Sequence, residues 1–283
     1  MADPTGVIHD LGYQRYAGER LGRGYAFRTL YFHSLRAAFG LGRGTKAKLL
    51  PFAMLALSCL PAVISVGTQA LSGQKLIAYQ DYPRALQLPL IVFLAGQAPE
   101  LVSRDLGNRV LPLYFCRPIE RDDYALAKLA AMVTAVFAVL LAPLLIAFLG
   151  SAFAGSGLDH LWTETKEFLP GLVNAALHAL VLAPLALLVA ATTGRRAFAT
   201  GGVVAVFLAT APVAGVLFAA GGDVARLAGL LNPFELLNGV REWLFGGGAA
   251  DIGRFGPLYG FVALCLFVAT TGGLLLRYRK VAT

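Results

Sequence analysis

The sequence predicts an all-α integral membrane protein with six transmembrane helices, and three observations carry this prediction. Hydrophobic residues make up 57% of the 283-residue chain and charged residues only 14%, against about 25% in soluble domains. Six apolar segments are each close to the roughly 20 residues that a helix needs to cross a bilayer. Lys and Arg concentrate in alternate connecting segments, which is typical of multi-pass membrane proteins. Arg outnumbers Lys by 18 to 6, which indicates a GC-rich, bacterial source.

The first predicted element is an amphipathic helix in residues 1–48, a region that we expect to lie on the cytoplasmic side. The stretch RGYAFRTLYFHSLRAAFGLGRGTKAK is too short and too polar to span a bilayer, but it suits a helix in the inner interface with cations near phosphates. The alternative is a soluble helix packed on a partner. No short apolar core with a cleavage site precedes it, so we expect no cleavable signal peptide. Phe27, Leu30, Tyr31, Leu35 and Ala38 share one predicted face, and Thr29, His33 and Arg36 share the other.

Residues 49–283 form the predicted six-span transmembrane domain. Each span is predicted to be helical because lipid cannot satisfy free backbone groups. The second span is the weakest, because Glu100 lies near its end and Pro89 and Pro99 interrupt it. Prolines within the spans predict kinks or wide turns. The predicted spans are 49–70, 85–102, 129–153, 168–193, 197–221 and 256–276.

The distribution of cations predicts that both chain termini are cytoplasmic. With the N-terminus inside, the inner segments carry 18 of the 24 Lys and Arg residues, which is the bias expected of cytoplasmic loops. The net charge of +8 is then a signal of topology, and no nucleic-acid partner is expected. The predicted inner segments are 1–48, 103–128, 194–196 and 277–283, and the outer ones are 71–84, 154–167 and 222–255.

A short amphipathic helix is predicted in the outer segment between spans five and six. Asn232 suits the N-cap position, Pro233 the first helical position, and Glu235 stands three residues after the cap, as in a capping box. Gly246 and the two glycines after it would end the helix. The apolar residues at helical spacing are Leu236, Leu237, Val240, Trp243 and Leu244.

Catalytic and nucleotide-binding motifs are absent from the sequence. The stretch LGRGTKAK has glycines and lysines without the spacing of a phosphate-binding loop, and neither H-E-x-x-H nor G-x-S-x-G occurs. The cysteines Cys59, Cys116 and Cys265 lack the spacing of metal ligands. We therefore expect a chain that is not an enzyme and that binds no metal or cofactor itself.

Polar residues within the spans are few and are candidates for a gate or a pathway. Asn174 and His178 share a face of span four, and Glu100 lies four residues before Arg104, the favoured order for a helical ion pair. An ionisable residue inside a membrane is a functional candidate. The alternatives are an interhelical hydrogen bond for the first pair and a shallow ion pair that reaches the headgroups for the second.

The predicted loop 103–128 concentrates charge in a chain that has little. Its sequence SRDLGNRVLPLYFCRPIERDDYALAK resembles the first cytoplasmic loop of ABC-2 type permeases, the membrane subunits of a class of ATP-driven exporters. Asp105 and Asn108 stand where that family usually has Glu and Thr, and Ser103 stands where it usually has an acid. The matching residues are Arg104, Asp105, Gly107 and Asn108 in the first motif, and Arg117, Pro118, Ile119, Arg121, Tyr124 and Lys128 in the second.

The resemblance implies a permease subunit of the bacterial cell membrane that exports an apolar or amphipathic substrate. It implies a separate ABC ATPase that binds ATP and Mg²⁺, and a second permease copy, identical or not. A short helix in the loop would begin at Pro118, carry acids near its positive end and dock on the ATPase as a coupling helix. The alternative is a solvated loop that only sets topology. The residues implied for coupling are Arg104, Asp105, Arg117, Pro118, Ile119, Glu120, Arg121, Asp123 and Tyr124.

Two other classes of function remain alternatives. A secondary, proton-coupled carrier would use Glu100, Asn174 and His178, but no inverted repeat of the kind such carriers contain is visible. An intramembrane enzyme needs a nucleophile with a base, or metal ligands, at membrane depth, and the spans offer neither.

Overall fold

Helices are the regular secondary structure of the computed structural model in the part of the chain that it describes. Described are residue 18 and residues 21–108, 110–116, 119–155, 157–246 and 252–280. Short 3₁₀ turns occur at Tyr79–Asp81, Gly229–Leu231 and Gly253–Phe255. The α-helices are α1 (Arg23–Ala38), α2 (Thr45–Ser72), α3 (Tyr82–Ala85), α4 (Gln87–Leu101), α5 (Ser103–Gly107), α6 (Leu111–Phe115), α7 (Arg121–Ala154), α8 (Leu158–Ala191), α9 (Arg196–Leu208), α10 (Thr210–Ala219), α11 (Gly222–Ala228), α12 (Pro233–Phe245) and α13 (Gly256–Arg279).

Five helical segments are long and apolar enough to cross a membrane. The predicted second span is the exception, because it is bent by 59° between Tyr79–Ala85 and Gln87–Gly107. If this bent pair counts as one span, the described chain has up to six. The five segments are Thr45–Ser72, Arg121–Ala154, Leu158–Ala191, Arg196–Ala219 and Gly253–Arg279.

Two breaks in the spans lie just before prolines. Pro89 and Pro212 are each the third residue of a helix that follows a break, at Leu86 and Ala209 respectively. A proline has no N–H to donate and its ring crowds the carbonyl four residues earlier. These two breaks confirm the predicted turns, whereas α7 and α8 continue through their internal prolines.

Helices α7 and α8 begin well before the apolar segments from which they were predicted. Span three was predicted to start at residue 129, and α7 starts at Arg121; span four was predicted to start at 168, and α8 starts at Leu158. The apolar segments indicate only the part of each helix that is surrounded by lipid or protein, and they do not show where the helix begins. The charged first turns are also helical, because acids favour the helix N-terminus.

The core of the bundle lies along α7 and α8. Of their most apolar stretches, 44% and 56% is buried, against 22% for α2 and 17% for the segment formed by α9 and α10. The small residues Ala135, Ala179 and Ala186 are fully buried there, which allows helices to approach closely. Helices α2, α9, α10 and α13 therefore lie at the outside of the bundle, with 17% to 22% of their most apolar stretches buried.

Helix α1 is amphipathic in the register that the sequence predicts, and its buried side rests on the bundle. Leu30 and Ala38 are buried, while Thr29, His33 and Arg36 are exposed. The Tyr31 hydroxyl donates to Thr134 Oγ1 at 3.0 Å, which joins α1 to α7. One face of α1 thus packs on protein and the other remains open.

Helix α12 begins and ends where the sequence predicts. Asn232 is the N-cap, and its Oδ1 accepts from the backbone N–H of Phe234 at 2.9 Å and of Glu235 at 3.2 Å. Gly246 follows the helix with a φ of 70°, a conformation that glycine adopts without strain. Trp243 lies half-exposed over Gly260, where an added Cβ would come within 2.7 Å of its ring. Of the predicted apolar residues, Leu236, Leu237 and Val240 are buried, and Trp243 contacts α13.

Candidate functional site

Connecting segments from across the sequence meet at one end of the bundle. This charged end consists of residues 21–44, the described residues of 100–123, residues 192–196 and residues 277–280, which are joined by the ion pairs and hydrogen bonds given below. Apart from residues 100–102 and 192–193, which were predicted as the ends of spans two and four, they belong to the segments that the sequence predicts to be cytoplasmic. Successive long helices run between this end and the opposite one.

The loop between α4 and α7 contains the two short helices α5 and α6 and the N-cap of α7. Pro118 was predicted to start a short coupling helix, but the short helix α6 precedes it, at Leu111–Phe115. Arg117 and Pro118 themselves lie outside the described residues. Glu120 is the N-cap of α7 and forms a capping box with Asp123, whose Oδ2 accepts from the Glu120 N–H at 3.2 Å. The acids of the loop therefore cap the long helix itself.

The acids at the start of α7 are paired with arginines from distant parts of the chain. Arg23 of α1 lies 2.5 Å from Glu120 and 2.6 Å from Asp123, and Arg279 of α13 lies 2.5 Å from Asp122. Contact with Asp123 and Glu120 outweighs desolvation and raises the pKa of Arg23. The start of α7 is thus connected to both the first and the last helix.

Arg121 was predicted to project toward a partner, but its guanidinium is in contact with the chain. Its Nη1 donates to the Arg279 carbonyl at 2.8 Å, and its guanidinium lies 5.6 Å from the centroid of the Phe115 ring. Ile119, from the same motif, is buried. Arg121 and Ile119 therefore stabilise the loop through contacts within the chain.

Asp105 joins the loop to α7. Its Oδ2 accepts from the Tyr124 hydroxyl at 2.6 Å and from Lys128 Nζ at 2.8 Å. Lys128 is only 4% exposed, and the buried Tyr124 ring packs against Tyr278 with centroids 5.1 Å apart. Asp105, Tyr124 and Lys128 all come from the sequence motifs, and the structure brings them together.

Glu100 is surrounded by three arginines from three segments. The predicted pair with Arg104 is confirmed at 2.8 Å. Arg43, which precedes α2, also contacts the same carboxylate, and Arg196 at the start of α9 lies 3.3 Å away. Sequence analysis missed both, although each arginine lies within two residues of the start of an apolar helix.

The loop also touches the short connection between α8 and α9. Ser103 Oγ lies 2.8 Å from the Ala190 carbonyl and 2.5 Å from that of Thr193. A Cβ on Gly107 would come within 2.4 Å of the Gly194 carbonyl oxygen. The glycine of the first motif therefore permits a close approach of two backbone segments.

Asn174 and His178 lie in a separate buried cluster, toward the opposite end of the bundle. Asn174 Nδ2 donates to the Gln80 carbonyl at 2.8 Å, which is the predicted interhelical bond. His178 Nδ1 lies 2.9 Å from the carbonyl of Asn174, within its own helix. Arg241 of α12 is 2% exposed and lies 2.9 Å from Asp81. Glu100 belongs to the charged end, so the three candidate gate residues do not form one site.

The opposite end has a smaller set of ion pairs. Lys75 lies 2.8 Å from Glu164 and 2.6 Å from Glu167. Burial lowers the pKa of Lys75, but these two carboxylates outweigh burial and raise it. The ammonium therefore stays charged at neutral pH. The two ion pairs of Lys75 link the turn after α2 to the first part of α8.

The described residues contain no group of three His, Cys, Asp or Glu side chains that could hold a metal ion. Cys59, Cys116 and Cys265 are free thiols. A comparison of the sequence with protein-family models finds no match, and a comparison with curated proteins finds none either.

Proposed function

We propose that the chain is the membrane-spanning permease subunit of an ATP-driven exporter of the ABC-2 type. In this proposal it performs no chemistry, and a separate ATPase subunit binds ATP and Mg²⁺ and moves loop 103–128. The observation that carries the proposal is that this loop is bonded to four different parts of the bundle. A push on the loop would therefore reach several helices together.

The bonds of the charged end support this transmission of movement. Asp105 ties the loop to α7 through the buried Lys128, and Ser103 ties it to the α8–α9 connection. Arg23 and Arg279 bring α1 and α13 to the same block. Packed helices that move as rigid bodies are a common way for a local displacement to become a change at a distance.

The surface that would contact the ATPase is the outer side of the loop. Asn108, Pro112, Cys116 and Glu120 of this loop are all exposed. The surface combines an amide, a carboxylate and an apolar ring, and such polar groups provide directional contacts for a partner. The described loop arginines Arg104 and Arg121 also bond within the chain, and this surface adds further contact groups to the coupling residues that the resemblance implies.

A second permease copy is part of the proposal. The segments Thr45–Ser72 and Arg196–Ala219 leave most of their apolar surface open. Lipid covers some of that surface, and a second copy would cover the rest and enclose a path between the two chains. The wide apolar surface suits an apolar or amphipathic substrate in a bacterial cytoplasmic membrane.

Crosslinking from Cys116 tests the contact with the ATPase. Cys116 and Cys265 are both exposed, and each can be kept as the single cysteine by changing the other two to serine. A photoreactive maleimide on Cys116 should crosslink to a co-expressed ATPase subunit, whereas the same reagent on Cys265, within α13, should reach only lipid or a second permease. If Cys116 gives no ATPase crosslink and transport continues without ATP hydrolysis, the proposal is wrong.

The alternative of a proton-coupled carrier is favoured by one observation. His178 is completely buried, and its Nε2 has no hydrogen-bond partner among the described residues. An unbonded imidazole nitrogen inside a membrane could accept a proton. Uptake driven by a pH gradient in vesicles without ATP, and lost in His178→Ala, would establish this function in place of the exporter.

A further inference from the structure

A large groove lies at the charged end, between α1 and the loop that contains α5 and α6. Its volume is about 1320 Å³, larger than the roughly 300 to 1,000 Å³ of sites for small ligands. One wall is the open face of α1, and the other is formed by Arg104, Asp105, Asn108, Val110 and Leu113. The groove therefore has room for the headgroup of a lipid together with part of its chains.

The walls of the groove carry large apolar side chains that the bundle does not cover. Tyr25 and Phe32 of α1 are 50% and 58% exposed, and Leu113 of α6, across the groove, is 69% exposed. Tyr25, Thr29, Phe32 and Arg36 follow helical spacing along α1 and all line the groove. The open, mostly polar face of α1 thus presents two exposed aromatic rings and an arginine to the groove.

The groove has more positive charge than the surrounding carboxylates can balance. Arg43 and Arg104 line it, and they share the single carboxylate of Glu100 with Arg196. Three guanidinium groups on one carboxylate leave two positive charges. Asp105 also lines the groove, but it already accepts bonds from Tyr124 and Lys128.

Arg36 adds a further cation that has no counter-ion among the described residues. It is exposed and lines the groove, and it forms no ion pair with any described residue. A group with a negative charge would therefore meet Arg36, Arg43 and Arg104 from one side. Arginine forms strong, paired hydrogen bonds with phosphate oxygens.

The position of the groove identifies the source of that phosphate. Arg43 stands two residues before α2 begins and six before its apolar stretch at Leu49, and Arg104 stands three residues after α4 ends. Both belong to the level at which helices leave the hydrocarbon, where phospholipid headgroups lie. A phospholipid brings to this level both an anion for the arginines and a chain for the apolar wall.

We propose that the groove is a binding site for an anionic phospholipid. Arg36, Arg43 and Arg104 contact its phosphate, and Tyr25, Phe32 and Leu113 contact the upper part of its acyl chains. The bound lipid bridges α1 and α6 and so stabilises the position of the loop. This site is independent of the proposed export function, because it follows from the charge, shape and depth of the groove.

Fluorescence quenching in mixed micelles tests the site. Phe32→Trp places a reporter in the groove, with Trp162 and Trp243 changed to Phe to remove the other signals. Brominated phosphatidylglycerol should quench the reporter at a lower mole fraction than brominated phosphatidylcholine. Arg36→Gln should weaken the preference for phosphatidylglycerol about five- to tenfold, since one cation near a charged lipid surface contributes a factor of this size.

Arg28→Gln is the matched control, because Arg28 is an exposed arginine of the same helix that does not line the groove. It should leave the preference unchanged. Equal quenching by the two lipids, or an equal loss in Arg28→Gln and Arg36→Gln, overturns the proposal. Full competition by soluble glycerol phosphate would reassign the groove to a free anion. Loss of the lipid preference combined with protection of the reporter by the ATPase subunit would reassign it to a protein partner.

Discussion

Replacing Asp105 by Asn should destabilise the protein far more than replacing an exposed acid of the same loop. Lys128 is 4% exposed and its Nζ lies 2.8 Å from Asp105 Oδ2. The substitution keeps the shape of the side chain but leaves a buried ammonium without a counter-ion. Breaking a buried ion pair from one side costs about 3 to 5 kcal/mol. An Asn oxygen still accepts one hydrogen bond, so we expect the lower figure, about 3 kcal/mol.

The control and the rescue variant follow from the same geometry. Glu120→Gln removes an acid whose pair with Arg23 has side chains 64% and 54% exposed, so we expect a loss below about 1 kcal/mol. Asp105→Asn combined with Lys128→Met removes both charges, and buried pairs replaced by apolar groups often lose little stability. The double variant should therefore recover much of the loss of the single one.

Unfolding of the purified protein by SDS titration, followed by circular dichroism, measures these differences. A loss of about 3 kcal/mol multiplies the unfolding equilibrium constant by more than about a hundred. The reasoning is refuted if Asp105→Asn is as stable as Glu120→Gln. It is also refuted if the double variant is no more stable than Asp105→Asn, because the cost would then not come from the unpaired lysine.

Three further predictions concern other parts of the structure. Gly107→Ala should push the loop away from Gly194, because an added Cβ would lie 2.4 Å from the Gly194 carbonyl oxygen. The same SDS titration should show a loss of stability, and an unchanged stability would mean that the two loops are not in contact. Asn232→Ala should destabilise α12 by about 1 kcal/mol relative to Asn232→Ser, because both lose the amide donor and only serine keeps a capping oxygen; faster cleavage near the helix in limited proteolysis would show the difference. Cys116 should react with a membrane-impermeant maleimide in inverted vesicles but not in intact cells; labelling in intact cells would reverse the proposed topology.

Local rules predicted the elements whose causes are local. The N-cap at Asn232 needs only its own side chain and two following N–H groups, so the sequence identified it. The ion pair of Glu100 with Arg104 was found for the same reason, because residues four apart share a face of any helix. The breaks before Pro89 and Pro212 also follow from the chemistry of a single residue.

Partners distant in sequence were not predicted. Arg23 and Arg279 meet the first turn of α7 only because α1 and α13 pack beside it, and nothing within the loop indicates this. Lys128 was identified from the motif, but its burial depends on how the helices pack. The loop therefore looked like a cluster of free charges, whereas in the structure its described arginines and acids are engaged within the chain.

The sequence by itself determined that this is a helical membrane protein with its cations gathered in alternate segments, because hydrophobicity and charge act on each segment separately. Only the tertiary structure decided which charges remain free. The dense pairing of the charged end joins α1, α7, α9 and α13 into one block, and the surplus of arginines over carboxylates falls in the groove beside α1. Pairing depends on distances between segments, and those distances exist only after the helices have packed.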